Sequence, residues 1–519
     1  MSKRYGIWSL AVVLLALSAA WGQDSSAQQP AEVPPDTNPQ QPIPAFGQEN
    51  PTPQINENPP ISGLDLPNLE PHGAPLSYLQ VGAHFSESLD SNIENSLGYS
   101  GFNTITRGLG SLELKRMWSH YDLELDYLGG VGYYSATGLG LEQIEELGLD
   151  QKITWKRGQL GLRDAFSYQP EGTFGSAYGA TGATGAGLSG LGGLLGGTAL
   201  GELGQVPRIM NVSVVDLVEN LTPKSSITAT GAYGFIHFTG NDPEIGNSFI
   251  GSSQTTALVA YDRILGAHDQ AAIMYAYEAF DFSTGINFRS HVIQLMWGHR
   301  ISGRMDFLIS AGPQFTQINN VFTPAPFTDI NNPGCEVAIT KAGPEVECPT
   351  NGFNIGAAGR ASLRYRFPKT SLDLEFLHYL TSGSGFFAGA ETYIGRLSVS
   401  RPLGRIWSVY SDLGYSHNSR ATPPTPSQET GCTAAAQGNP NATCPGIIAE
   451  VYAYDFAGLG VHRMIGRAFH VYASYQFNYL TFDQSYCTTA PTAGGCNRIS
   501  QRHVGTIGVD WTPRPMRID

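Results

Sequence analysis

Charged residues recur at even spacings in two separate stretches of the chain. The first stretch contains Glu113, Lys115, Asp122, Glu124 and Asp126, and the second contains Arg360, Arg364, Arg366, Asp373 and Glu375. Side chains two positions apart lie on the same face of a β-strand, so each set would form a charged face. The charges could simply neutralise one another along a wetted wall, or an unpaired excess could set a preference for ions or sugars. Both interpretations remain open at this stage.

A turn signal divides each charged stretch. Ser119 lies between the two halves of the first, and Pro368 and Lys369 lie between those of the second. Antiparallel hairpins at these turns would bring opposite charges together as cross-strand neighbours. We therefore expect ion pairs on both faces, with a basic group around Arg364 and an acidic group around Glu124.

Catalytic signatures are missing from the sequence. The chain has 12 histidines, but His237, His291, His299 and His378 fall on separate predicted strands. There is no Gly-x-Ser-x-Gly and no His-Glu-x-x-His motif. We predict that the protein is not an enzyme and that it uses no cofactor.

The six cysteines form three local pairs in the last third of the chain. These are Cys335 with Cys348, Cys432 with Cys444, and Cys487 with Cys496. In an exported protein such pairs indicate disulfides, although other pairings are formally possible. Cys-x-x-Cys spacing and nearby histidines are lacking, so we predict no metal site.

The N-terminal part of the chain has two distinct segments. Residues 1–22 combine a basic start, an apolar run and a small-x-small ending, which predicts a signal peptide. Residues 23–75 are rich in Pro, Gln and Asn, which predicts a disordered periplasmic leader. The net charge of -14 and the scattered basic residues make nucleic acid an unexpected partner.

From residue 76 to residue 519 the hydrophobic period is two, the period of a β-strand. Between residues 469 and 479 every odd position is apolar and most even positions are polar. Tight turns are predicted near Ser119, Arg157, Pro223, Gly266, Gly303, Pro368, Gly404 and Gly466. Long connections are predicted at about 86–105, 169–207, 239–251, 319–354, 418–448 and 483–500. Short turns alternating with long loops are typical of an outer-membrane barrel.

The pattern predicts an all-β fold: a closed antiparallel transmembrane β-barrel with short periplasmic turns and long extracellular loops. Counting segments gives about 18 strands, with 16 as the alternative because residues 147–155 and 211–217 alternate poorly. Closure is required because an open sheet edge in lipid would leave backbone groups unpaired. The cysteine pairs would then lie in extracellular loops.

This architecture resembles the porin and outer-membrane β-barrel class. The resemblance implies localisation in the bacterial outer membrane, contact with its lipid, and insertion by the cellular machinery that reads the last strand. The stretch 503–511 resembles that strand, with Trp511 as its aromatic residue, but eight further residues follow it. By analogy with porins, we expect the apolar, glycine-rich connection containing Leu188, Leu191, Leu194 and Leu195 to narrow or plug the lumen. A flexible surface loop and a partner-contact patch are the alternatives.

These features favour a porin-like channel for passive diffusion of small hydrophilic solutes. A plugged barrel acting as an adhesin, receptor or structural protein through its disulfide-stapled loops is the alternative. A polysaccharide export pore is a third candidate, although the mixed signs of the lumen charges disfavour it. A homo-oligomer is possible, but we predict no particular interface from the sequence.

Overall fold

The fold was examined in a computed structural model, which describes most of the chain after residue 76. The described residues are 77–92, 102–135, 140–170, 207–239, 250–331, 334–340, 343–367, 369–385, 387–422, 451–482 and 499–518. None of the described helices is long and apolar enough to cross a membrane. The predicted signal peptide and leader, the four leucines of the predicted constriction, and the cysteines at 432, 444, 487 and 496 lie outside the described residues.

Eighteen antiparallel strands form one closed ring. They are β1 (Tyr78–Asp90), β2 (Asn103–Met117), β3 (Tyr121–Tyr134), β4 (Gly140–Trp155), β5 (Gly158–Gln169), β6 (Arg208–Thr222), β7 (Ser225–Phe238), β8 (Ser252–Ile264), β9 (Asp269–Phe282), β10 (Asn287–Ser302), β11 (Met305–Ala325), β13 (Gly343–Phe367), β14 (Thr370–Thr381), β15 (Ala390–Pro402), β16 (Trp407–Arg420), β17 (Val451–Ile465), β18 (Phe469–Phe482) and β19 (Ile499–Trp511). Each pairs with its neighbours in the chain, and β1 closes the ring on β19 with Phe85 opposite Val509.

Two further strands lie outside the ring. The short β12 (Glu336–Thr340) pairs with the first residues of β13, and β20 (Met516–Arg517) pairs with the start of β1. The strand count of 18 is confirmed. Both segments with poor alternation belong to regular strands, β4 and β6.

The two faces of the barrel differ in chemistry. On β14, Leu374 and Phe376 point outward and are 46% and 48% exposed, whereas Asp373 and Glu375, which alternate with them, point inward. The same alternation exposes large apolar side chains around much of the outer wall. A closed barrel with an apolar exterior and a polar interior can satisfy its backbone in lipid. The protein is therefore an outer-membrane β-barrel.

The eight predicted tight turns all fall between consecutive strands on one rim of the barrel. Two predicted long loops are shorter than expected. In the first, β1 continues to Asp90 and β2 already begins at Asn103; in the second, β11 continues to Ala325. Cys335 and Cys348 form a disulfide that fastens β12 to the upper part of β13.

The lumen as candidate functional site

All nine charged residues predicted to line the lumen lie on strand positions that face inward. These are Lys115 on β2, Asp122, Glu124 and Asp126 on β3, Arg360, Arg364 and Arg366 on β13, and Asp373 and Glu375 on β14. The strand periodicity indicates this, and several of their sequence neighbours are exposed apolar side chains: Tyr121, Tyr127, Phe367, Leu374 and Phe376. Their role in permeation stays a prediction.

The inner wall of β2 and β3 carries an excess of acid. Lys115 Nζ lies 2.7 Å from Glu124 Oε2, its direct cross-strand neighbour. Glu113 lies opposite Asp126 and accepts a hydrogen bond from the Tyr78 hydroxyl. Two carboxylates thus face each other at one rung of the sheet, where opposite charges would be more stable.

Three of these carboxylates converge. Ligand oxygens of Glu113, Glu124 and Asp126 all lie within 4.8 Å of one another. Lys115 bonds one of them, so the cluster holds three acidic side chains and one lysine. Oxygen ligands of this type suit hard cations. We assign no resident metal here.

The inner wall of β11, β13 and β14 is balanced instead. Arg360 Nη2 lies 2.7 Å from Glu375 Oε1, and Arg364 Nε lies 3.1 Å from Asp306 Oδ1. Asp373 lies directly opposite Arg364 in the register. On the neighbouring strands, Arg396 and Asp412 add a further ion pair with a closest distance of 2.7 Å. Asp306, Arg396 and Asp412 were missed in the sequence, although their inward positions follow from the same alternation.

The acidic and arginine-rich walls lie on opposite sides of the ring. Because β12 is outside the ring, β3 is the third ring strand and β13 the twelfth, so half of the 18 strands separates them. The lumen is therefore electrostatically asymmetric. Four inward carboxyl groups on β2 and β3 face two lysines, Lys115 and Lys152 of β4, which leaves a formal excess of acid on that side. The arginines of the other wall have acidic partners, so the expected basic pole is weaker than its arginine content suggests.

An apolar cluster occupies another part of the inner wall. Its buried members include Val214 on β6, Leu258 on β8, Ala276 on β9, Val292 on β10 and Tyr379 on β14. Inward polar side chains, among them Asp216, Glu278 and Gln294, lie on the same strands as these apolar residues, so this part of the inner wall is mixed. Sequence alternation alone does not reveal this. Where inward residues are apolar, the alternation no longer tells which face of the strand points into the lumen.

The connection between β14 and β15 folds into the barrel. Gly385 O accepts a hydrogen bond of 2.9 Å from Ile250 N, just before β8. Phe387 is 1% exposed, with its ring centroid 5.3 Å from that of the inward-facing Tyr452 on β17. The guanidinium carbon of Arg420 lies 4.9 Å from the centroid of the Phe387 ring. These contacts reach from the segment before the eighth ring strand to the sixteenth ring strand, so the connection crosses the lumen near the rim opposite the tight turns.

Glycines permit this path. Gly383, Gly385 and Gly389 have φ values of 76°, 81° and 83°, in the left-handed region that glycine favours. At Gly389 a Cβ atom would lie 1.9 Å from Cε2 of Phe288, a buried inward residue of β10. Residues 382–385 and 387–389 are the described segment that obstructs the lumen.

No protein-family model matches the sequence, and a search of curated proteins finds no match. Solved outer-membrane structures show a distant likeness. The ferric-catecholate import receptor Fiu from E. coli K12 is 7% identical with a TM-score of 0.39, over 85% of this chain and 82% of Fiu. OprD of Pseudomonas aeruginosa is 7% identical with a TM-score of 0.36, over 84% and 94% of the two chains. OccK5 (OpdH) of the same organism is 10% identical with a TM-score of 0.37, over 85% and 98%. At these values the likeness says nothing about solutes, and the fold assignment rests on strand pairing.

Proposed function

We propose that the protein is a passive outer-membrane channel for small hydrophilic solutes, with a preference for cations. The observation that carries this proposal is the asymmetric charge of the lumen. Carboxylates on β2 and β3 outnumber their cationic partners, whereas each of Arg360, Arg364 and Arg396 has an acidic partner. A wall with one unbalanced sign raises the local concentration of counter-ions. The proposed role is transport without catalysis.

A receptor or adhesin with an obstructed lumen is the second candidate. The inward connection at Phe387 favours it, because this segment spans strands far apart in the ring. The disulfide between Cys335 and Cys348 also gives one outer hairpin a fixed shape suited to recognition. In either role we propose that Trp511, outward and 40% exposed on the closing strand, is read by the insertion machinery.

Neutralising the acidic cluster should reduce cation preference. We expect the wild-type reversal potential under a KCl gradient to have the sign of a cation-preferring channel. The double variant Glu113→Gln with Asp126→Asn should shift it towards zero, because Lys115 and Glu124 remain as a neutral pair. Both substitutions preserve side-chain size, so conductance should change little.

Glu87→Gln is the matched control for this measurement. Glu87 lies on the outer face of β1, where Thr106 donates a hydrogen bond to it, so its charge does not face the lumen. The reversal potential should stay at the wild-type value. An equal shift in both variants, or no shift in the double variant, would contradict the assigned role of the cluster.

A further inference from the structure

The outer wall of β5 and β6 carries a group of adjacent polar side chains near the middle of its strands. Asp164 on β5 points outward, because its sequence neighbour Ala165 points inward and is 6% exposed. On β6, Asn211 and Ser213 also point outward, in the same alternation as Val215, which is 49% exposed. The outward orientation of Asn211 and Ser213 explains the poor alternation of residues 211–217, since polar residues there occupy lipid-facing positions.

These three side chains form one hydrogen-bonded cluster. Asn211 Nδ2 donates to Asp164 Oδ1 over 3.1 Å, and the Ser213 hydroxyl donates to the other carboxylate oxygen. Asp164 and Ser213 are direct cross-strand partners. A carboxylate can accept roughly four hydrogen bonds. Two donors from the same chain therefore leave acceptor capacity directed away from the barrel.

The cluster lies within the membrane. Asp164 is near the middle of β5, which runs from Gly158 to Gln169. A tilted strand of about 9 to 11 residues spans the hydrocarbon layer, so both strand ends are closer to water than Asp164. On the wall of β9 to β11, outward residues away from the rims are apolar: Ile273, Ile293, Leu295 and Ile309 are 51%, 41%, 67% and 40% exposed.

A carboxylate facing lipid is costly, and an ionisable group in the membrane usually marks a contact with other polar groups. The cluster is self-complementary, because acceptor and donors lie side by side. Across a two-fold axis, the second N–H of Asn211 would meet the twin's Asp164, and the reverse contact would form equally. The adjoining surface is smooth, since Gly231 lies opposite Val215 and an added Cβ there would meet no atom within 4 Å.

We propose that a second copy of this chain packs against the outer wall of β5 to β7, with each Asp164 cluster facing its twin. The seam wall is Asp164, Asn211, Ser213, Val215 and Gly231. The pairing satisfies the remaining acceptors of the carboxylate and removes it from lipid. This assignment does not depend on whether the lumen conducts.

Cysteine cross-linking in outer membranes tests the proposal. Val215 lies next to the cluster on the outward face, so Val215→Cys should form a covalent dimer under mild oxidation. Leu295→Cys is the control, because Leu295 is also outward, 67% exposed and on a wall outside the proposed seam. The expected result is a dimer band for Val215→Cys and a monomer for Leu295→Cys. A monomer in both, or equal cross-linking in both, would overturn the proposal.

A second variant measures the energetic role of the cluster. Asp164→Leu should raise the dimer dissociation constant in detergent about tenfold or more, as expected when charge-assisted hydrogen bonds at an interface are lost. Leucine suits a lipid-facing position, so the folded barrel should retain its heat-resistant mobility on gels. Folded Asp164→Leu protein with an unchanged dissociation constant would contradict the proposal.

Discussion

Replacing Gly389 with valine should raise the single-channel conductance roughly twofold or more, because it displaces the segment that narrows the lumen. The new side chain would collide with Phe288, whose Cε2 lies 1.9 Å from the Cβ position. The backbone φ of 83° is also unfavourable for a β-branched residue. The connection must then leave its site against Phe288, and planar-bilayer recordings would measure the effect.

Gly395→Val provides the matched control for that change. Gly395 lies on β15, has no left-handed φ, and an added Cβ would meet no atom within 4 Å. Its conductance should equal that of the wild type. If Gly389→Val conducted no better than Gly395→Val, the inward connection would not be the narrow point of the channel.

Replacing Arg502 with methionine should destabilise the barrel by about 3 to 5 kcal/mol, the usual cost of leaving a buried charge without its partner. Arg502 Nε donates to Asp90 Oδ2 over 2.7 Å, and the two residues are 5% and 0% exposed. The pair joins the last strand to the first. Its loss therefore weakens ring closure, and urea unfolding in lipid vesicles would report a lower midpoint.

Two comparisons establish that the buried charge causes the loss. Adding Asp90→Asn to Arg502→Met should recover much of the stability, because the unpaired carboxylate is removed. Arg401→Met, at the exposed end of β15, should leave the midpoint near the wild-type value. A large loss in the Arg401 variant, or none in the Arg502 variant, would contradict this role for the closing pair.

Alternation and turn chemistry were sufficient to predict the barrel, its strand number and the inward positions of residues such as Glu124 and Arg364. These properties are local, because a side chain's face follows from its place in the strand. The ion-pair partner of Arg364 could not be predicted in this way. Asp306 reaches it from β11 across a long intervening loop, so the pair depends on a register that no short stretch of sequence encodes.

Two other features depend on tertiary contacts that alternation does not describe. The connection at Gly389 resembles any glycine-rich loop until Phe387 is seen against Tyr452 on a distant strand. The outward position of Asp164 does not follow from the sequence either. The two-residue period assigns polar side chains to the lumen, and here the polar side chains face outward.

Single-channel recording of the folded, detergent-purified protein in a planar bilayer tests the central claim most directly. The account predicts stable, stepwise conductance in KCl that grows in proportion to salt concentration and favours cations. Silent bilayers, in which protease protection shows that folded protein is inserted, would contradict a passive channel and support a receptor or adhesin with an obstructed lumen.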